Sequence, residues 1–266
     1  MTGPAMAADG LQIARRDDVA ILTLSREAQR NALSRALVAA LGRAGEQISK
    51  DTSLRAVIIT GTGDRAFCAG ADLKERALLS SDDVLQQLRS YRAELAWIDP
   101  CPVPVIAAIN GAALGGGLEL ALLCDLRVAA AHAELGLPET SLGIIPGAEG
   151  TQRLPRLIGE ARAKELILLG RRVSASEALL FGLIHRVTPV GTDLIEDVWH
   201  WIQPIREGAP LAQRAALQAI AAARDLALPA GSERELALYE PLLRSDDRSE
   251  GLRAFAEKRK PKFQGR

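Results

Sequence analysis

Ile109-Asn-Gly-Ala-Ala-Leu-Gly-Gly-Gly-Leu-Glu119 is the stretch on which the fold turns. It follows Pro102-Val-Pro-Val-Ile-Ala-Ala-Ile109, which reads as a strand with its prolines at the entry, where they cost no ladder bond. Asn110-Gly111 turns the chain, and Leu114-Gly115-Gly116-Gly117 delivers it into an apolar helix, Leu118–Leu123. Leu126–Ala130 is strand-like again. Working outward, Val19–Leu24 is a strand pattern rich in branched aliphatics. Asn31-Ala-Leu-Ser34 opens a helix with Leu33, Leu37, Val38 and Leu41 at helical spacing. Ala56–Thr60 reads as a short buried strand closed by the turn Gly61-Thr-Gly-Asp64, and Phe67–Asp72 leads into a further helical stretch. Ala161–Leu169 and Ala175–Phe181 read as helices, Leu183–Val187 as a brief strand, and the chain from Asp193 onward as helices only. Alternating strands and helices give an α/β class. With no fixed-period repeat and no Pro/Ser linker, the expectation is an α/β core over 1–192. A helical region over 193–266 packs as part of the same domain.

The composition excludes several function classes. A chain of 266 residues holds one large domain or two small ones. Lys+Arg and Asp+Glu both total 33, so nothing marks a general nucleic-acid binder, and 3% aromatics offer no base-stacking platform. Cys68, Cys101 and Cys124 are far apart and suit neither a disulfide framework nor a CxxC metal site; reduced, packed thiols are expected. The uncharged run from Pro100 to Leu118 is broken by prolines, glycines and Asn110, so no membrane span is expected. Residues 1–10 lack the basic and apolar regions of a secretory signal, and the expected location is cytoplasmic.

Chemistry gathers in a few segments. Glycines that open a helix bring free N–H groups to the positive end of its dipole, a place suited to a developing oxyanion or, more plainly, to tight helix–strand packing. Gly115–Gly117 is not the dinucleotide fingerprint, because Leu120 stands where the third glycine belongs, and no Gly-Lys-Ser/Thr follows to make a P-loop. Glu119 lies among apolar residues, where burial raises a carboxyl pKa; a helix-start glutamate favoured by the dipole is the plainer reading. Glu139 follows Pro138 and reads alone as a solvated loop acid. Together the two carboxylates can act as a general acid/base pair around one water. Asp72 reads as a helix cap rather than a catalyst. His132, His185 and His200 are scattered, so no metal site is expected. Ser141 lacks the G-x-S-x-G context of a serine hydrolase.

Arg30-Asn-Ala-Leu33, Phe67-Cys-Ala-Gly-Ala-Asp-Leu-Lys-Glu75, Ile109–Glu119, Cys124-Asp-Leu-Arg-Val128, Gly147–Arg153 and Glu250–Lys260 together resemble the enoyl-CoA hydratase/isomerase (crotonase) superfamily. The resemblance runs from Val19 to the C-terminus. It implies a crotonase-like spiral of ββα units with a C-terminal helical oligomerisation region, assembled as a homo-trimer or a dimer of trimers. An acyl-CoA thioester carbonyl would sit between the amides of Ala71 and Gly116. Arg30, Ala32, Ala69, Asp72, Leu73 and Lys74 would line the CoA, and Phe255 and Lys258 would reach the CoA site of a neighbouring subunit. Gly147 would help position a water. CoA belongs to the substrate, so no cofactor is implied.

Hydratases of the superfamily fill two positions with glutamate, and Glu119 and Glu139 fill both here. This favours reversible addition of water to a 2-enoyl-CoA over the Δ3,Δ2-isomerase reaction, in which one carboxylate shuttles a proton. Within the hydratases the chain is most similar to the methylglutaconyl-CoA hydratase group, through Ala69–Arg76, Cys124–Ala129 and Gly170–Ser174. A branched, carboxylated acyl chain needs a cationic or polar partner at the far end of its pocket, and no residue stands out for that in the sequence. Some relatives in this group bind RNA through a lysine-rich first helix, but residues 31–48 contain no lysine, so RNA binding is not expected. Glu149 stands where the family has a glycine. If its φ is positive, a glutamate there costs about 1 kcal/mol or more. Its side chain either faces solvent or adds a third carboxylate to the pair.

Overall fold

The computed structural model describes residues 5–266. The expectation of no secretory signal falls partly on residues 1–4, outside the described residues. The strands are β1 (Ala5–Ala8), β2 (Leu11–Arg16), β3 (Val19–Leu24), β4 (Ala56–Gly61), β5 (Ala66–Cys68), β6 (Val105–Ile109), β7 (Ala112–Leu114), β8 (Leu126–Ala130), β9 (Glu134–Gly136), β10 (Arg172–Ser174) and β11 (Arg186–Thr188). The helices in the first two-thirds are α1 (Arg35–Ile48), α2 (Leu73–Arg76), α3 (Ser81–Leu95), α4 (Gly116–Leu123), α5 (Gly150–Ile158), α6 (Glu160–Leu168) and α7 (Ala175–Leu180). The C-terminal helices are α8 (Leu194–Trp201), α9 (Gln203–Glu207), α10 (Pro210–Ala222), α11 (Leu228–Tyr239) and α12 (Asp246–Ala256).

Two sheets form, ordered β1-β2-β3-β4-β6-β8-β11 and β10-β9-β7-β5. In three consecutive pairs the first strand joins the large sheet and the second joins the small one. Thus β4–β5, β6–β7 and β8–β9 each cross between sheets before the chain turns helical, which makes the structure a spiral of ββα units. β3, β4, β6, β8 and β11 run parallel, as do β5, β7 and β9.

β4 and β6, at the centre of the large sheet, are buried on both faces and so read as continuous apolar runs. Val57 and Ile59 of β4 face the main core, together with Val105, Ala107 and Ile109 of β6 and Leu37, Val38 and Leu41 of α1. The alternate residues Ala56, Ile58, Ile106 and Ala108 face Val198, Trp199 and Ile202 from the α8 segment. Arg16 and Arg206 lie over the Trp199 ring, 3.9 and 3.7 Å from its centroid.

Some element boundaries differ from those expected, for local reasons. α1 starts at Arg35, because Arg30 and Asn31 are left-handed, with φ +51° and +56°. Buried Asn31 donates from Nδ2 to the carbonyls of Ala66 and Thr62, and Ser34 caps the helix by accepting from Leu37 N. β11 begins at Arg186 because the Leu183 amide is taken up by the Ala178 carbonyl at the end of α7. The prolines at 102 and 104 precede β6 rather than entering it. The only basic residues of α1, Arg35 and Arg43, are paired with Glu75 and Asp9. Among the described residues no helix is long and apolar enough to cross a membrane.

α4 lies tight against β5. A Cβ at Gly117 would fall 2.0 Å from the Cys68 carbonyl oxygen, a backbone atom that cannot swing aside. Gly117→Ala should therefore cost about 3 kcal/mol or more. Gly231→Ala, in α11 where an added Cβ meets nothing within 4 Å, should be neutral or stabilising by ~0.5–1 kcal/mol. Denaturant midpoints of the two variants check both expectations.

Candidate active site

In an open parallel sheet, ligands settle beyond the carboxyl ends of the strands. The small sheet places three chemical segments at such ends. β5 runs into Ala69-Gly70-Ala71, β7 into Gly115-Gly116-Gly117, and β9 into Leu137-Pro138-Glu139. They open into a cavity of about 1360 Å³. Its lining is mostly apolar, with Val84, Leu88 and Tyr91 of α3 on one side and Ile144, Ile145 and Pro146 on the other.

Ala71 forms an isolated parallel bridge with Leu33. Leu33 N donates to the Gly70 carbonyl at 2.8 Å, and Asp72 N donates to the Leu33 carbonyl at 3.1 Å. Successive amides of an extended segment point opposite ways, so the Ala71 N–H faces away from Leu33. Among the described residues no backbone carbonyl accepts from it. The Gly116 amide stands at the first position of α4, where no carbonyl lies a turn back to receive it. A Cβ at Gly116 would lie 3.6 Å from Ala71 N. Two free amides thus converge on one edge of the cavity.

Glu119 lies within the first turn of α4 and is 3% exposed. Its Oε1 accepts from Ala148 N at 2.7 Å and Gly150 N at 2.8 Å. Burial pushes its pKa up, and the two amides, with Arg92 and Arg76, pull against that. Glu139 opens a short 3₁₀ turn, Glu139–Leu142, and is buried rather than the solvated loop acid its setting implied. Burial first, and then the Glu119 charge, raise its carboxyl to about 7. Its Oε2 is buried with no protein partner among the described residues. Gly115, at φ +54°, makes room for this carboxyl: a Cβ there would lie 3.0 Å from Glu139 Oε1.

The other sequence candidates divide. Arg30, Ala69, Leu73 and Gly147 line the cavity. Ala32, Asp72 and Lys74 do not. Ala32 is buried, and Asp72 caps α2 through the amides of Lys74 and Glu75 while pairing with Arg26 at 2.9 Å. Phe255, 86% exposed, and Lys258 lie outside the cavity of their own chain. Gly147 turns its carbonyl to Arg92, at 3.0 and 2.7 Å, while the amides that grip Glu119 are those of Ala148 and Gly150.

Glu149 does have positive φ, +78°. Its side chain neither joins the glutamate pair nor runs free into solvent; it pairs with Arg153 Nε at 2.7 Å. Arg153 also meets Asp99 at 3.2 Å, and Asp99 meets Arg224 at 2.7 Å. Helix α3 is an element that the apolar pattern alone does not set apart from α2, although Ser80 and Asp83 form a capping box ahead of apolar Val84, Leu88, Tyr91 and Leu95. Tyr91 Oη donates to the Leu33 carbonyl at 2.7 Å and steadies the Ala71 bridge.

All three cysteines are free and buried, with Cys68 pushed up to about 12 and Cys101 to about 11 by burial. Among the described residues no group of His, Cys, Asp and Glu is arranged to hold a metal.

The raised Glu139 carboxyl has a consequence for stability. Between its ordinary pKa and about 7 the folded chain holds a proton that the unfolded chain has lost, so stability falls as pH rises through that window. Glu139→Gln removes the penalty. Above pH 7 its Tm should exceed the parent's by roughly 2–4 °C, the equivalent of about 1 kcal/mol in a chain of this size, and the gap should close towards pH 5. Calorimetric melts from pH 5 to 8 check this.

The family model described as enoyl-CoA hydratase/isomerase matches residues 14–266. A Bacillus subtilis (strain 168) relative, YngF, whose name carries both activities, is 48% identical over 251 residues, covering 94% of this chain and 96% of its own. The mitochondrial methylglutaconyl-CoA hydratase of Homo sapiens is 43% identical over 250 residues, covering 93% of this chain and 74% of its own. A crystal structure of an enoyl-CoA hydratase from Bacillus anthracis superposes with a TM-score of 0.94 at 47% identity, over 97% of this chain and 100% of that one. The spiral of ββα units is thus a crotonase fold, and the chain belongs to the enoyl-CoA hydratase/isomerase family.

Proposed function

We propose that the chain is a hydratase that adds water, reversibly and syn, across the α,β double bond of a 2-enoyl-CoA. The carrying observation is that two buried glutamates, Glu119 and Glu139, share one cavity with the unengaged amides of Ala71 and Gly116. In this reading the amides bind the thioester oxygen as the enolate forms, each donor being worth roughly 3–4 kcal/mol of barrier. Glu119, held in place by two backbone amides, orients the water and takes its proton. Glu139, raised to about 7, supplies the proton to Cα. Gly147 remains the candidate for positioning the water from the cavity wall. The acyl group favoured is 3-methylglutaconyl, supported by the likeness to a methylglutaconyl-CoA hydratase.

Incubation with a 2-enoyl-CoA should yield the 3-hydroxyacyl-CoA. Loss of the double-bond absorbance without that product, or conversion of a 3-enoyl-CoA alone, would move the assignment to the isomerase reaction. Glu119→Gln and Glu139→Gln should each lower kcat by about 10²–10⁴-fold. The double variant should lose far less than the product of the singles, because the two groups serve one step. Hydration needs Glu139 protonated, so kcat/KM should fall as pH rises through about 7, while dehydration, which needs it ionised, should rise over the same range.

We further propose a trimer or a dimer of trimers, with Phe255 and Lys258 reaching a neighbour's CoA. Leu228, Leu236, Tyr239, Leu252 and Phe255 are all exposed on the C-terminal helices, more apolar surface than a solitary chain keeps wet. Light scattering at micromolar concentration should give a multiple of three chains; a stable 28.4 kDa particle would contradict it.

A further inference from the structure

Arg76 ends the short helix α2 and lines the cavity beside Leu79, Val84 and Leu88. Its Nε donates to Oε1 of Gln87, a side chain on α3 that is only 4% exposed. Neither Nη has a protein partner among the described residues, and no carboxylate of those residues pairs with it. The other cavity arginines differ. Arg92 spends Nε and Nη2 on the Gly147 carbonyl, and Arg172 faces Glu134 at 3.6 Å. Arg30 lies by the Ala69–Ala71 wall, where the CoA is expected. A guanidinium held at Nε, with both Nη unpartnered among the described residues, on a residue that lines a mostly apolar cavity, is a fork suited to a planar anion.

The position of that fork selects the kind of anion. Gln87, which holds Arg76, is followed on α3 by Leu88, and Leu88 packs against Gly147, 2.8 Å from where a Cβ there would stand, beside the amides that grip Glu119. That contact puts Arg76 towards the reacting end of the cavity, in keeping with its opposing the effect of burial at Glu119 and Glu139, whereas the phosphates of CoA lie a pantetheine chain away from the thioester. An anion arriving there also meets the Glu119 carboxyl, and of the two arginines that oppose the effect of burial at Glu119, Arg92 has Nε and Nη2 on the Gly147 carbonyl while both Nη of Arg76 are without a protein partner among the described residues.

We propose that Arg76, oriented by Gln87, recognises a carboxylate at the far end of the acyl chain, so that the enzyme prefers the CoA monothioesters of dicarboxylic acids. This rests on the acyl-CoA assignment but not on the reaction that follows binding. Arg76 is a specificity-determining residue, and Gln87 a positioning residue behind it.

The test uses two unreactive thioesters that differ by the terminal carboxylate, glutaryl-CoA and butyryl-CoA, titrated calorimetrically into the full-length enzyme. The parent should bind glutaryl-CoA at least tenfold more tightly. Arg76→Met should abolish that preference through loss of glutaryl-CoA affinity, Arg76→Lys should restore part of it, and Gln87→Leu should weaken it. Circular dichroism melts identify any variant that fails to fold, and Arg76→Lys then carries the comparison. Equal binding of the two thioesters by the parent overturns the proposal, as does an equal loss for both in Arg76→Met, which would assign Arg76 to the glutamates instead. A glutaryl-CoA preference that depends on Arg76, in an enzyme that hydrates no enoyl-CoA, would uphold this inference and remove the hydratase reading.

Discussion

The close approach of α4 to β5 is the constraint on which the site depends. With no side chain at Gly117, the first turn of the helix can lie against the Cys68 carbonyl. That contact sets where the Gly116 amide stands relative to Ala71, three residues beyond Cys68. It also fixes Glu119, which follows Gly116 by about one helical turn. The Ala71 side is held independently by the Leu33 bridge and by the Tyr91 hydroxyl on the Leu33 carbonyl. The cavity edge is thus built from backbone packed at van der Waals distance, the kind of positioning that needs no reorganisation when charge develops on a ligand.

The segment 147–153 answers to a different demand. A carboxylate buried as deeply as that of Glu119 must be compensated, and two turn amides, those of Ala148 and Gly150, do so. For both to point at one oxygen, the chain takes a left-handed residue between them, and that residue is Glu149. Its conformational cost is offset in part by the pair with Arg153, which continues through Asp99 to Arg224 in the segment after α10. The charge that the sequence left to face solvent or join the glutamate pair does neither and braces the turn that holds Glu119.

Legibility in the sequence followed element length and periodicity. β3, β4, β6, β8, α1, α4, α6 and α7 carry runs long enough to show an apolar period or an unbroken apolar stretch. The small sheet does not, because β5, β7, β9 and β10 have three residues each, too few for alternation to register. Yet that sheet delivers the segments that carry Ala71, Gly116 and Glu139. The burial of Glu139 was likewise hidden. A glutamate between a proline and a threonine has no periodic context, and its environment comes from Gly115 and Glu119, well upstream. Arg76 sits in a polar run, Lys74-Glu-Arg76, in which nothing local singles it out; its place at the cavity depends on α3 folding over it with Gln87.

By itself the sequence determined the α/β class, the glycine-led entry to α4, the two glutamates and the family to which their spacing belongs. These are properties of local order, fixed by which residues are neighbours along the chain. Only the tertiary structure decided that Glu139 is buried, that Ala148 and Gly150 hold Glu119, that Glu149 turns to Arg153, and that Arg76 opens onto the cavity. Each depends on side chains and amides tens of residues apart being brought within a few ångströms. The packing of two sheets and their covering helices sets that proximity, and no periodicity along the chain encodes it.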